Sequence, residues 1–562
     1  MHDLKLIGGR VVSVATGEIW ESDVVIDGER VAALPGPDSA VSARETIDAT
    51  GLLVVPGFID SHMHIESSML TPTTFAAATL PRGTTTVLAD PHEIVNVAGA
   101  DGLRWMIEEG AKTQQSMFWA VPSCVPSLDG LETAGASLSA ADIDELLALE
   151  GVIALGEVMD YRAVIAGGER MRGILEVAQR HDVIIDGHCP ELAGSELQRY
   201  LLAGIDSDHC KNSAAAIGEK LRFGMTMMLQ EKSFTPEVVE YLLELPQLPD
   251  LCIVTDDISA DAIQKHGHLD HLARVARGAG LPSLAILRAL TLNPARRLRL
   301  HDRGVIAPGK RADLVLLTDL KSFEVVDVIV GGQRVREQPP SGSAFTNSLV
   351  LRQHAVADQR WLSDLPDGEH VFRAIRVNSV DTSTLSDTIV LPVHNGIVEW
   401  EGRCARVTVY ERYEGSGRTA HAPVLGMELA DGAVATSYAH DSHNLTVIGT
   451  SAAQTARAAE RVIELGGGIV VCEGETSKTH DISAEVVLPI GGLMTAAPLA
   501  EVAHAAGEIR AALERWGWRH RIPFMSVSTL TLPVSPALKI SDFGLIDVLE
   551  RRLVPATVSV PE

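Results

Sequence analysis

The middle of the chain alternates two hydrophobic patterns. Short apolar runs recur at "LLVVPGFID", "TTTVLAD", "SMFWAVPS", "VIALGEV", "VIIDGH", "GIDSDH", "GMTMMLQ" and "LCIVTDD", each with the length and composition of a buried strand. Between them, "DGLRWMIEEGAK", "AADIDELLALE", "GERMRGILEVAQRH", "GSELQRYLLAG" and "TPEVVEYLLELP" place apolar residues at i, i+3 and i+4, the stripe of an amphipathic helix. A strand followed by a helix, repeated eight times, predicts an α/β fold with a TIM-like (β/α)8 barrel over residues 52–301.

The flanks read differently. "DLKLIGGRVVSVATGE", "SDVVIDGERVAAL" and "GVIAPGKRADLVLLTDLKSFEVVDVIVGGQRV" carry short β-rich runs broken by Gly and Asp-Gly turns, which predict hairpins. Residues 1–51 and 302–340 are therefore expected to pair into one small β-sandwich domain, built from both ends of the first half. Beyond a Pro/Gly/Ser-rich linker, "EQPPSGS", residues 345–562 mix β-like segments ("ARVTVYERY", "GAVATSYAHD", "LTVIGT", "GGIVVCEG") with helices ("TARAAERVIELG", "PLAEVAHAAGEIRAALERW"), which predicts a C-terminal α+β domain.

Composition narrows the choice of partners. The 562 residues are 46% hydrophobic and 22% charged, as in an ordinary globular protein of more than one domain. Net charge is 47 minus 74, or −27, a field that repels phosphate backbones and anionic lipid and argues against nucleic acid or membrane as partner. The six cysteines contain no CxxC pair, so neither a zinc knuckle nor a disulfide framework is indicated, and a reducing cytoplasm is expected. The start, "MHDLKLIGGR", lacks a basic segment followed by an apolar run, and no apolar stretch reaches the ~18 residues of a membrane span.

Within the predicted barrel, ionisable residues gather at strand ends. His62 and His64 end the first strand, Glu157 lies in the fourth, His188 ends the fifth, His209 the sixth, and Asp256 and Asp257 the eighth. C-terminal strand ends of such a barrel converge on one mouth, where catalytic groups collect. A spacing of two sends His62 and His64 to the same face, within reach of one ion. Any one of these histidines alone is more simply a hydrogen-bonded or surface residue; the set of placements is what points to metal. Imidazole with carboxylate and no thiolate suits zinc, iron or manganese. Four histidines and two acids exceed the needs of one tetrahedral ion with an open position, so two ions are favoured. His62, His64 and Asp256 would hold one, His188 and His209 the other, with Glu157 as the bridge.

Longer motifs carry a family likeness. "PGFIDSHMHIESSMLTP", "GTTTVLADPHEIVNVAG", "GHCPELAGSEL", "GIDSDH", "HGHLDHLARVA", "TLNPARRL" and "GVIAPGKRADLVLLTDL" resemble the bacterial adenine deaminase family of the amidohydrolase superfamily, and "AHDSHNLTVIGT", "ELGGGIVV", "LPIGGLM" and "LPVSPALKISDFGLIDV" resemble its C-terminal domain. The resemblance runs nearly end to end. It implies hydrolytic deamination of a 6-aminopurine, adenine to hypoxanthine and ammonia, by two divalent ions, Mn2+ or Fe2+ before Zn2+. In this family a strand-four glutamate replaces the bridging carboxylated lysine of other superfamily members, and Glu157 occupies that position. Water shared by two cations loses a proton near neutral pH; the hydroxide would attack purine C6, with Asp256 taking the proton and passing it to the leaving amine. A cytoplasmic homo-oligomer, a dimer, acting on a small-molecule purine is expected.

Other residues are candidates for support or substrate contact. His92 and Glu93 in "DPHEIVNV" follow the second strand and suit a supporting role or an extra metal site; a simple loop explains them equally. His266, His268 and His271 are accounted for by a helix start. The resemblance implies that the loop of His440, Asp441, His443 and Asn444 faces the barrel mouth and helps to close the site; a purely structural hydrogen-bond cluster is the competing reading. Three departures from the family bear on substrate: Cys210 where an acid usually follows the histidine, Gln230 to Ser233 ("QEKS") where a basic-Glu-Gly-Ser pattern is usual, and "GMELAD" at 426–431 where two cations usually lie. Gln230 and Ser233 therefore count as possible supporting groups or purine contacts, and Asp257 as a further supporting group and the alternative to Asp256 as proton carrier. These changes leave open a second activity, the same machinery acting on a modified or N6-substituted aminopurine or a related heterocycle. A non-catalytic paralogue is the third possibility, and the complete ligand set argues against it.

Overall fold

The apolar run at residues 52–60, expected as one strand, is two. Leu53–Pro56 joins a flanking sheet and Phe58–Met63 opens the barrel. Gly57 makes the break: its N–H donates to the Asp313 carbonyl at 2.8 Å, and a Cβ there would lie 2.1 Å from Thr85 Oγ1. Only a residue without a side chain lets the two segments diverge so close to the next strand. The computed structural model describes residues 1–37, 39–336, 356, 359–474 and 482–558, so the "EQPPSGS" linker lies outside the described residues.

The (β/α)8 expectation holds. Five parallel strands, Phe58–Met63, Thr84–Ala89, Ser116–Val121, Val152–Val158 and Ile184–Gly187, lie side by side in chain order. Ser207–Asp208, Thr226–Leu229 and Cys252–Ile253 continue as a parallel trio. The chain after the eighth strand returns to the first through a parallel bridge between Met63 and Asp256. Helices follow the strands, and several start on a cap: the side chains of Thr71, Ser139, Ser213 and Thr235 each accept from a first-turn backbone amide, which satisfies a donor the helix cannot. Pro72 and Pro236 then occupy first helical positions, where no N–H is needed. Ile59, Leu88, Ala120, Ala154 and Ile184, one from each of the first five strands, share an apolar cluster with Ala295 and Leu298. Ionisable residues are left for the strand ends.

The flanking β region is two sheets around one core. The sheet of His2–Ile7, Val24–Asp27, Arg30–Ala33 and Ala43–Asp48 faces a six-stranded sheet that contains Arg10–Val12, Leu53–Pro56 and Leu314–Leu317. Leu6, Val24 and Ile26 from the first meet Val11, Val54 and Leu316 from the second. The Asp27-Gly28 turn closes a hairpin as expected. Gly8-Gly9 does not: His2–Ile7 and Arg10–Val12 go to different sheets, because burying both Leu6 and Val11 in the shared core requires the chain to cross over between them.

A second compact unit comprises His92–Leu103, Cys124–Leu138 and the described residues after 343. Its centre is a nine-stranded sheet running from Ile397–Val398 to Ile482–Val487. The helix Ala452–Leu465 buries Ala458, Ala459 and Val462 against Val447 and Val470. Among the described residues no helix is long and apolar enough to cross a membrane.

Candidate metal centre

Six residues from five barrel strands come within ligand distance of one another, and hydrogen bonds decide which nitrogen each strand-one histidine offers. His62 Nδ1 lies 3.1 Å from Asp186 Oδ2. Burial alone would raise the Asp186 carboxyl, but Arg297 and His62 hold it down at about 2, so this carboxylate only accepts. Nδ1 of His62 carries the proton, and in the neutral ring Nε2 then holds the lone pair. His64 Nδ1 lies 2.9 Å from the Asp90 carbonyl, which likewise only accepts, and its Nε2 is also left as a lone-pair donor. A second partner that fixes the tautomer in this way is what metal-binding histidines require.

Glu157 sits between two groups of imidazoles. Its Oε1 is 3.4 Å from His64 Nε2, while Oε2 is 2.5 Å from His188 Nδ1 and 3.1 Å from His209 Nε2. Asp90 Oδ2 accepts from the Glu157 backbone N–H at 2.8 Å, so one acid anchors both the bridge candidate and, through its carbonyl, His64. Burial raises the Glu157 carboxyl, yet His188 and His209 outweigh it and hold the group well below the usual carboxylate range. Asp256 Oδ1 lies 3.2 Å from His64 Nε2 and 3.6 Å from His62 Nε2, and Oδ2 is 3.7 Å from the half-exposed Lys232 ammonium. The backbone of Asp256 is left-handed, φ +56°, a conformation that costs energy outside glycine and is retained where the surroundings enforce it.

Sites for His188 and His209 rest on a buried ion pair. Lys220 Nζ donates to Asp208 Oδ2 at 2.7 Å, to Asn212 Oδ1 at 2.7 Å and to the Cys189 carbonyl at 2.6 Å, so all three ammonium protons are used. Asp208 precedes His209 and Cys189 follows His188, and the one ammonium thereby ties both histidine positions together. Gln230 Nε2 donates to the His209 carbonyl at 2.9 Å, and its N–H to Ser233 Oγ at 3.3 Å. Asp257 is exposed and accepts from Ser67 Oγ at 2.5 Å. Cys210 brings its sulfur near the ring nitrogens of His188 and His209, and burial pushes that thiol well above its ordinary value. His268 is buried against Thr84 Oγ1 at 2.9 Å, while His266 and His271 stack on each other.

Residues 53–230 and 250–335 match the amidohydrolase family, and residues 381–552 match the adenine deaminase C-terminal domain. "Adenine deaminase 2" of Shouchella clausii is 39% identical over 98% of this chain and 98% of its own. Proteins named adenine deaminase from Cereibacter sphaeroides and Clostridium perfringens are 38% and 36% identical, over 98% and 92% of this chain and 97% and 93% of theirs. The chain belongs to the adenine deaminase family of amidohydrolases. Membership implies divalent metal, and the donors fit it. Two atoms on one ion bound at about 2.0–2.2 Å can lie no further apart than about 4.4 Å, and the separations of His62, His64 and His209 from their acids, 3.1–3.6 Å, satisfy this. His62 Nε2 is buried with no hydrogen-bond partner among the described residues, as expected of a lone pair reserved for a cation.

Two positioning acids of this adenine deaminase family member, Asp90 and Asp186, escaped the sequence reading. Both sit at or near C-terminal strand ends, in "LAD" and "IIDGH", so the strand-end rule that picked out the candidate ligands reaches them as well. Of the supporting candidates, His92, Glu93, His440, Asp441 and His443 come together in the second unit, all buried.

Proposed function

We propose that the chain hydrolyses adenine to hypoxanthine and ammonia at this barrel site. The observation that carries the reading is the split engagement of Glu157, one oxygen toward His64 and the other toward His188 and His209, as a carboxylate shared by two cations requires. His62, His64 and Asp256 would hold one ion, His188 and His209 the other. The donor set of imidazoles and carboxylates accommodates Mn2+, Fe2+ or Zn2+ alike, and it is the family resemblance that favours Mn2+ or Fe2+. When bound, the cations acidify water so that it deprotonates near neutral pH.

The chain's own groups do the rest. Asp256 borders both strand-one imidazoles and so stands where an attacking water would give up its proton; the same carboxyl then returns that proton to the departing amine. Burial raises its carboxyl, but His209, His62, His64 and Lys232 hold it well below the usual range, so it begins as the base. Asp186 and the Asp90 carbonyl keep the imidazoles from turning. The six cysteines are unpaired, which supports a reducing cytoplasm, and a homodimer is proposed.

The test is ammonia release from a panel of purines by the Mn2+-loaded protein. Enzymatic rates on adenine support the reading. Activity confined to N6-substituted purines would replace it with the second activity, for which Cys210 and the Gln230–Ser233 turn are the altered positions.

A further inference from the structure

A second group of residues able to hold a cation lies within the second unit. His92 and Glu93 begin the helix His92–Gly110, and His440 and Asp441 follow the strand Gly432–Thr436. Their donor atoms lie within 4.8 Å of one another, and all four residues are buried. His92 Nε2 is 3.5 Å from Glu93 Oε1 and 4.0 Å from Asp441 Oδ1; His440 Nδ1 is 2.6 Å from Glu93 Oε1 and 3.4 Å from Asp441 Oδ1. Each separation is below the limit of about 4.4 Å set by two bonds of about 2.0–2.2 Å to one ion.

His443 orients the group. Its Nδ1 accepts from the Ala439 N–H at 3.1 Å, so the proton is on Nε2, which donates to Glu93 Oε2. One carboxylate oxygen is thus occupied, and Oε1 remains for the cluster, an arrangement typical of a ligating carboxylate held by an outer partner. The loop is fixed as well: the His440 N–H donates to the Ser528 carbonyl at 3.0 Å and the His440 carbonyl accepts from Thr531 Oγ1 at 2.9 Å. Asp441 Oδ2 is buried with no hydrogen-bond partner among the described residues. Two carboxylates enclosed together need compensating positive charge, which one divalent cation held by these four residues would supply.

We propose that His92, Glu93, His440 and Asp441 form an additional binding site for a divalent transition-metal cation, built from none of the barrel ligands. Imidazole and carboxylate without thiolate select Mn2+, Fe2+ or Zn2+. The full chain, stripped with chelator, reloaded with Zn2+ and desalted, would be counted for metal by mass spectrometry. The His440→Gln/Asp441→Asn protein is expected to hold one equivalent fewer than wild type, and equal counts would overturn the site. A His62→Gln/His209→Gln protein, altered only in the barrel, guards against misfolding of the first variant. It should keep at least one equivalent and, loaded with Co2+, a visible absorption band; a metal-free protein with no band would also overturn the site.

Discussion

At the residue scale, two histidines one position apart owe their use to partners far along the chain. His62 is set by Asp186 and His64 by the carbonyl of Asp90. Asp186→Asn should therefore weaken metal affinity about 10- to 100-fold, a loss recovered at high Mn2+ in a titration of activity; unchanged affinity would mean that His62 needs no such partner. Asp256→Asn should lower kcat by roughly a hundred- to ten-thousandfold while metal content, measured alongside, stays near wild type. The six candidate ligands were legible because side chains that meet at a barrel mouth must come from strand ends. Asp90 and Asp186 lie at strand ends too, but position alone does not mark their role, since each works through a backbone atom or a neighbouring ring rather than by facing the site.

At the element scale, strand order and helix placement followed from apolar periodicity, and what escaped lay where tertiary packing overrides it. Gly57 splits a continuous apolar run because Thr85 occupies the space of its Cβ. In the second unit, Gly368–Val377 and Thr384–His394 are long paired strands whose many exposed and half-buried positions hide the period of two. The fifth and sixth barrel strands are held closely: a Cβ on Gly187 would meet the Ser207 carbonyl oxygen at 2.0 Å. Backbone cannot step aside there, so Gly187→Ala should destabilise the protein by about 2 kcal/mol or more and, being next to His188, reduce bound metal. Lys220→Met would strand the buried Asp208 carboxylate at a cost of about 3–5 kcal/mol, read as a lowered denaturation midpoint.

For the whole molecule, the net charge is −27, and stability carries its own pH dependence. Lys539 is buried in the second unit and donates to the Thr382 and Thr529 carbonyls, both at 2.9 Å, a match for the two N–H bonds of a neutral amine. Burial lowers its value to about 7 from the ordinary 10.5. Between those two values the unfolded chain binds more protons than the folded one, so this group makes stability rise with pH across that window. Lys539→Met should flatten the rise in melting temperature from pH 7 upward; an identical slope would show that the amine is charged in the fold. We propose that Glu157 joins two cations in the deamination of adenine. The most direct test is turnover of adenine by metal-free protein titrated with Mn2+, for wild type beside Glu157→Gln. Hypoxanthine and ammonia should appear in equal amounts and only with metal, with kcat at least roughly a hundredfold lower in the variant; no ammonia at any Mn2+ load, or wild-type turnover by Glu157→Gln, would contradict it.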